Sequence, residues 1–354
     1  MDNIIIIFFV IILLVCLCKK NKFKGGKIKL HKAIRILIIC CKKLNLKYNL
    51  LDKNNIHIIH NNEILKYRYT LHNINRNICK KIKCNKSNIN KKLIENKIKV
   101  PIHEVFDKIE SLEYIDYIIK TKTIKYPLVV KPIDSMGGVK VFINIKNDTE
   151  LKNILIEHFL NKTIPKSKTH KIMLESYIIG TDYRIICYND IILDIIRRTP
   201  GYVIGDGIHT IKELTDIKNK TDKYHKKHPI IINEPYLNSI NLSSNYVIEL
   251  NKRVNPHYIG TIDYGGYLQR VSIKEVHKDN LEMFKKINKI LGLKISGADI
   301  LIEDISKSYK IQNCGINEVN TSPNILTSYY ADEKYSLHIP IKFLKLHFNI
   351  KNSK

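Results

Sequence analysis

Two segments near the C-terminus limit the fold more than anything else in the sequence: Ser296-Gly297-Ala298-Asp299-Ile300-Leu301 and Ile316-Asn317-Glu318-Val319-Asn320. Both read as strands, and side chains at i and i+2 of a strand share a face. Glu318 and Asn320 therefore point the same way, with Ile316 and Val319 packed behind them. Asp299 lies in an otherwise apolar strand, residues 298–302. Pairing of the two strands through a loop over 303–315 brings three oxygen-bearing side chains together on an apolar sheet. Two carboxylates and an amide carbonyl suit Mg²⁺, with phosphate oxygens completing its octahedron. Taken alone, the same residues read as solvent-facing polar positions, so their meaning depends on the upstream sequence.

A chain of 354 residues can bury a large core in two or three packed lobes. Its 60 Lys and Arg against 33 Asp and Glu leave a charge of +27, a balance that points toward nucleic acid or anionic lipid. That excess carries little weight, because Ile, Lys and Asn are over-used while Trp is absent, as codon bias in an AT-rich genome produces. No basic run interleaved with aromatic residues supports nucleic-acid binding. An acidic or phosphate-bearing substrate would be drawn by such a field.

Residues 4–18 are unbroken apolar sequence, preceded by Asp2 and followed by Lys19, Lys20, Lys22 and Lys24. A membrane span takes about 20 residues, and snorkelling lysines extend a shorter one. With neither a basic n-region nor a small-x-small cleavage site, a single-pass signal anchor is expected rather than a cleaved signal peptide. The flanking lysines then place the rest of the chain on the cytoplasmic side. Cys16 and Cys18 read as ordinary apolar residues rather than acylation sites. Cys40, Cys41, Cys79, Cys84, Cys187 and Cys314 form no C-x-x-C pair and read as reduced thiols.

After a Gly25-Gly26 hinge, helical spacing predicts a helix over 30–46. Two short strands, 56–59 and 64–69, are expected across an Asn61-Asn62 turn. A helix over 91–96 ends before Val100-Pro101, where the proline enforces extended chain. This stretch is too small for a substrate domain and reads as a small α/β cap on the lobe that follows. Residues 339–348 predict a helix apolar on one face, packed either on the core or on a partner such as a second copy in a homo-oligomer.

Tyr126-Pro127-Leu128-Val129-Val130-Lys131-Pro132-Ile133 reads as a buried strand, followed by Asp134-Ser135-Met136-Gly137-Gly138-Val139-Lys140-Val141 and a returning strand through Ile145. Such a turn can set an ammonium and several backbone N–H groups around a polyphosphate, although two glycines in a hairpin are more often only a turn. Further on come a strand from Lys171, a bend at Gly180, and a strand carrying Asp182 and Arg184. In order and spacing, the Lys-Pro, the glycine loop, Leu174-Glu175-Ser176-Tyr177-Ile178-Ile179-Gly180-Thr181-Asp182-Tyr183-Arg184, Asp299 and Asn317-Glu318-Val319-Asn320 resemble the ATP-grasp superfamily. The stretch from Arg198-Thr199-Pro200-Gly201 to Gly205-Asp206-Gly207-Ile208-His209, with Gly265-Gly266 and Val276-His277, is similar to the ATP-grasp module of cyanophycin synthetases and bifunctional glutathione synthetases. The resemblance runs from about residue 86 to about residue 328. Nothing in the sequence resembles the Mur-ligase-like half of the former or the cysteine-ligase half of the latter.

The resemblance implies an α+β fold with 86–170 and 171–328 as two lobes clamping ATP, to which the residue pattern adds 1–23 as anchor and basic flank, 24–85 as the cap and 329–354 as a C-terminal helix and tail. The second lobe includes a substrate or lid insertion. The implied activity is that of an ATP-dependent carboxylate–amine ligase: a carboxylate attacks the γ-phosphate, and an amine displaces phosphate from the acylphosphate. Small amino acids or peptides are the implied substrates. Lys131 would contact the α-phosphate and Lys86 the nucleotide, beside a phosphate loop of Ser135, Met136, Gly137 and Gly138. Backbone groups of Glu175, Ser176, Tyr177 and Ile178 would read adenine, and Asp182 would take the ribose hydroxyls. Asp299, Glu318 and Asn320 would hold two Mg²⁺ ions, which Mn²⁺ can replace. Arg198 and Arg184 would steady the transferred phosphoryl group.

Two departures stand out. Lys140 replaces the last glycine of the phosphate loop, stiffening it and offering a cation to the γ-phosphate or to water. Gly260-Thr261-Ile262-Asp263-Tyr264 replaces the family's usual Asn-Leu-Ser-Thr, which bears on the acceptor substrate. These changes also motivate a second reading, a catalytically silent nucleotide-binding or scaffold protein at a membrane. The chemistry needs no nucleophilic triad, so His209, His277 and Asp206 read as structural.

Overall fold

The computed structural model describes residues 29–82, 85–134, 138–165, 167–331 and 337–351. The expected anchor, the Gly25-Gly26 hinge, Cys16, Cys18, Cys84 and the loop residues Ser135, Met136 and Gly137 lie outside them. No helix among the described residues is long and apolar enough to cross a membrane.

The first lobe is a four-stranded antiparallel sheet, ordered β5 (His103–Phe106), β8 (Ile172–Ser176), β6 (Leu128–Pro132), β7 (Phe142–Ile145). Strand alternation sends Leu128, Val130, Ile172 and Leu174 to one face, where helices α4 (Leu112–Thr121) and α5 (Asp148–His158) cover them. Lys131 and Glu175 are left on the other face. Since β8 pairs with both β5 and β6, the chain leaves this sheet after Ser176, one strand beyond the expected division at residue 170.

The second lobe is a five-stranded antiparallel sheet, ordered β13 (Tyr267–Arg270), β10 (Ile191–Thr199), β9 (Thr181–Tyr188), β14 (Ile295–Ile302), β15 (Cys314–Asn320). The hairpin read from the sequence is present, with Asp299 opposite Glu318 and Gly297 opposite Asn320. A bulge lies between the Asp299–Glu318 and Ile300–Ile316 pairs, leaving Asn317 as the extra residue. The bulge lets both Ile316 and Val319 face the core, which strict alternation forbids once Glu318 faces away. Gly180 turns the chain into β9 because a Cβ there would sit 2.7 Å from the Ile302 carbonyl carbon.

Each face of this sheet has its own cover. Tyr183, Ile185, Cys187, Ala298 and Ile300 pack under α8 (Lys278–Leu291) and α3 (Lys86–Glu95). Helix α8 follows from Phe284, Ile287 and Leu291 at helical spacing, with His277 as N-cap and Gly292 in the left-handed C-cap. Helix α3 starts at Lys86, capped by Asn85, rather than at 91 as the periodicity suggested. It packs on the second lobe, although the sequence assigned it to the first.

The opposite face is covered at one end only. There lie α1 (Lys32–Lys43), the meander β1 (Lys47–Leu50), β2 (Asn55–His60), β3 (Glu63–Arg68), β4 (Leu71–His72), and helix α10 (His338–His347), sharing a core with Ile186, Tyr188, Leu193 and Ile295. Asn61 and Asn62, at φ 45° and 63°, make the expected turn. The cap is thus a helix on an antiparallel sheet rather than α/β, and it sits on the second lobe rather than on the lobe that follows it. Asn75 fastens it through Nδ2 to the carbonyls of Ile295 and Thr321, and α10 spends its apolar face on this core.

Between β10 and β13 an insertion forms its own core from Val203, Ile211, Leu237, Ile248 and Val254, around β11 (Val203–Ile204), β12 (Arg253–Val254), α6 (Ile211–Thr221) and α7 (Glu234–Ser239). It reaches the first lobe through Tyr258 Oη to the Val141 carbonyl at 3.1 Å and Lys146 Nζ to the Ser239 carbonyl at 3.3 Å. Cys40, Cys41, Cys187 and Cys314 are buried free thiols, as the spacing implied.

Candidate active site

The open end of the second sheet faces the polar face of the first, and charged side chains fill the space between. Register places Arg184, Asp299 and Glu318 in one row across β9, β14 and β15, with Asp182 and Arg198 side by side in the next. Arg184 donates to Asp299 twice, Nε to Oδ1 at 2.7 Å and an Nη to Oδ2 at 2.6 Å. Arg198 lies 3.0 Å from the same Oδ2 and donates to Asp182 Oδ1 at 2.7 Å. Across the gap, Glu175, only 3% exposed, pairs closely with Lys131 and lies 3.2 Å from Lys86 Nζ. Lys131 Nζ also donates to Asn317 Oδ1 at 3.1 Å, a bond that joins the two lobes.

Burial sets the electrostatics. It raises the Asp299 carboxyl, but the charges of Arg184 and Arg198 outweigh it and hold the group below its ordinary value. Burial likewise opposes the charge on Arg198, and Asp299 and Asp182 more than compensate, raising it. On the other side, burial raises Glu175, yet Lys131 and Lys86 bring it below normal. Burial lowers the Lys131 ammonium, with Lys86 acting in the same sense and Glu175 countering.

No family model matches the chain. It superposes on a bifunctional glutathione synthetase from Pasteurella multocida with a TM-score of 0.56 at 19% identity, covering 90% of this chain and 43% of that one. The fold is that of the ATP-grasp superfamily. Among sequence relatives, a cyanophycin synthetase from Crocosphaera subtropica is 28% identical over 207 residues, 56% of this chain and 23% of the relative. A glutathione biosynthesis bifunctional protein from Clostridium perfringens is 26% identical over 347 residues, 93% of this chain and 43% of the relative. The chain thus spans less than half the length of either relative.

Within this ATP-grasp fold the expected residues divide into those brought together and those held apart. Lys86, Lys131, Asp182, Arg184, Arg198 and Asp299 enter ion pairs between the sheets, with Glu318 in register opposite Asp299 and Asn320 two residues further along β15. Glu175 contributes a buried carboxylate, which the adenine-reading role had left unused. In the hinge, the Ser176 N–H bonds the Ile102 carbonyl and the Tyr177 N–H the Pro127 carbonyl. Among the described residues no acceptor meets the Ile178 N–H, so of these three groups it is the one that fits an adenine nitrogen.

Lys140 is a correction. Its ammonium bonds the His158 carbonyl and lies over the Phe159 ring, folded back onto α5 and away from the charged rows. Its φ of 53° puts it in the left-handed region that few non-glycine residues adopt. Gly138 keeps φ +70°, and a Cβ there would meet Ile259 Cδ1 at 2.5 Å. Asp134 ties its loop to the Lys168 and Thr169 N–H groups. The structural readings of His209, Asp206 and His277 agree with the geometry: Asp206 bonds the His209 ring at 2.6 Å and caps the turn, and His277 caps α8.

Among the described residues no three His, Cys, Asp or Glu side chains are grouped to hold a metal. Asp299, Glu318 and Asn320 make a two-carboxylate, one-amide set that suits a hard cation. Asn320 is partly buried, with an Nδ2 that has no partner among the described residues. Asp299 already meets three guanidinium N–H groups, which leaves about one of its roughly four acceptor sites. A cation therefore fits at Glu318 and Asn320 directly, and at Asp299 once an arginine yields. A separate cavity of about 430 Å³, lined by Val203, Ile204, Leu214, Ile217, Lys218, Thr221 and Asp222, lies on the insertion, away from this cluster.

Two features escaped the sequence reading. The Glu175 side chain had a signal, a carboxylate within the apolar run Ile172-Met173-Leu174. Asn317 had one too, since consecutive polar residues in a buried strand break alternation and mark a bulge.

Proposed function

We propose that this chain is an ATP- and Mg²⁺-dependent carboxylate–amine ligase that forms an amide through an acylphosphate. The observation that carries the reading is the bond from Lys131 to Asn317, which sets the Lys131–Glu175–Lys86 cluster against the strand of Glu318 and its in-register partner Asp299. A polyphosphate with its metal needs cations on one side and hard oxygen donors on the other. In this reading Lys131 and Lys86 hold the α- and β-phosphate oxygens, the Ile178 N–H orients adenine, and Asp182 meets the ribose. Glu318, Asn320 and Asp299 would hold the metal, which would supply positive charge to the phosphates. Arg198 and Arg184, which hold Asp299 here, would steady the transferred phosphoryl group. Placement and charge compensation then accomplish the chemistry without a protein nucleophile. Residues 4–18 anchor the chain to a membrane with this site on the cytoplasmic side, as residency of the full chain in a carbonate-washed membrane fraction would confirm.

The test is ADP release with Mg²⁺-ATP and a panel of amino acids and short peptides. Turnover should require one carboxylate and one amine, and should fall at least about a hundredfold in Glu318→Gln. A second reading, a silent nucleotide-binding module, draws on the arginines that occupy Asp299. ATP binding without turnover across the whole panel would favour it and remove the ligase.

A further inference from the structure

Asn317 is the extra residue of the β15 bulge, and its side chain does something the flanking residues cannot. A regular strand would send it to the face carrying Val319, where its amide would enter an apolar core at a cost of about 1–3 kcal/mol. The bulge instead turns it toward the first lobe, where its oxygen meets Lys131.

A lysine ammonium has three N–H donors. One is taken by Glu175 from its own sheet and one by Asn317 from the opposite sheet, so rotation about Cε–Nζ is fixed and one donor remains. The next residue after Asn317 is Glu318, opposite Asp299. A single peptide unit thus separates the amide that holds the ammonium from the carboxylate assigned to the metal.

We propose that Asn317 is a positioning residue: it holds Lys131 so that its third N–H meets a phosphate oxygen of a nucleotide, and it ties that lysine's placement to the Glu318 strand. This rests on the nucleotide reading above. The same bond links the lobes, so it forms only when the sheets stand at this separation.

The test is a double-mutant cycle on the full chain, with AMP-PNP and Mg²⁺ as the probe and the dissociation constant as the readout. Asn317→Leu should weaken binding about tenfold and Lys131→Met more, yet the double variant should be no weaker than Lys131→Met alone. A purely structural role for Asn317 predicts losses that multiply, and that result, or full affinity in Asn317→Leu, overturns the inference. A wild-type chain that binds no AMP-PNP removes the nucleotide reading and this inference together, whereas multiplying losses in a chain that binds remove this inference alone. Should Asn317→Leu fold poorly, Asn317→Ala replaces it in the same cycle and the coupling is read identically.

Discussion

On one side of the cleft two ammonium groups, Lys131 of the first lobe and Lys86 at the start of α3, share one buried carboxylate, Glu175. On the second-lobe side two guanidinium groups, Arg184 and Arg198, share two carboxylates, Asp299 and Asp182. The first set carries one positive charge more than it can neutralise, and the second closes on itself. An anion can join the first without breaking anything, whereas the second must open before any of its members serves a ligand. The two halves of one cleft therefore differ in what they can offer a ligand.

The sharpest way to break this contrast is to remove the central carboxylate from each half. Asp299→Asn leaves the buried Arg198 and the partly buried Arg184 short of a partner and should cost roughly 3–5 kcal/mol in chemical denaturation. Glu175→Gln should cost about 1–3 kcal/mol, because Lys86 can turn outward to water. Equal losses would show that the two halves are built alike.

Acid offers a gentler probe. His72 is buried on β4 of the cap that covers the second sheet, and burial, together with His347, lowers its pKa to about 4. The unfolded chain takes up this proton near 6.5 while the folded chain does not. Stability therefore falls as pH drops from about 6.5 to 4, by about 1.4 kcal/mol per pH unit for this residue. Asp299 acts lower still. Its depressed pKa contributes stability above about 3.9 that is lost as pH falls through the folded value. Hydrogen exchange at pH 5 should accordingly loosen the second sheet and its cap before the first sheet, and His72→Gln should flatten the denaturation profile between pH 6.5 and 4. Simultaneous loosening of both sheets would count against the assignment.

The smallest effect is expected at Lys140. Its ammonium is committed to α5, so Lys140→Met should leave ADP release within about twofold of wild type. A loss above tenfold would return Lys140 to the cation side of the cleft.

Strand alternation and the order of motifs made the paired strands, the lobe sheets and most of the polar cleft legible in advance. Asp299 and Glu318 could be paired from sequence because both lie in apolar strands joined by one loop. What alternation cannot express is a bulge, and Asn317 was overlooked for that reason. Nor does a motif say where a side chain goes once its backbone has been assigned a task, as Glu175 shows. Lys140 misled because a lysine in a glycine loop advertises charge, while its direction depends on a left-handed φ and a carbonyl on a neighbouring helix. The cap's docking site was hidden because it depends on Asn75 reaching strand carbonyls far along the chain.

The insertion leaves β10 after Thr199 and returns to β13 at Tyr267, and these two residues face each other in register. Topologically the entire segment is one long hairpin loop whose ends meet at a single rung and which carries its own small core. Its exit and entry points would be equally well served by a turn of a few residues or by a different subdomain of any length. The segment is therefore a cassette: recombination can exchange it without re-registering a strand.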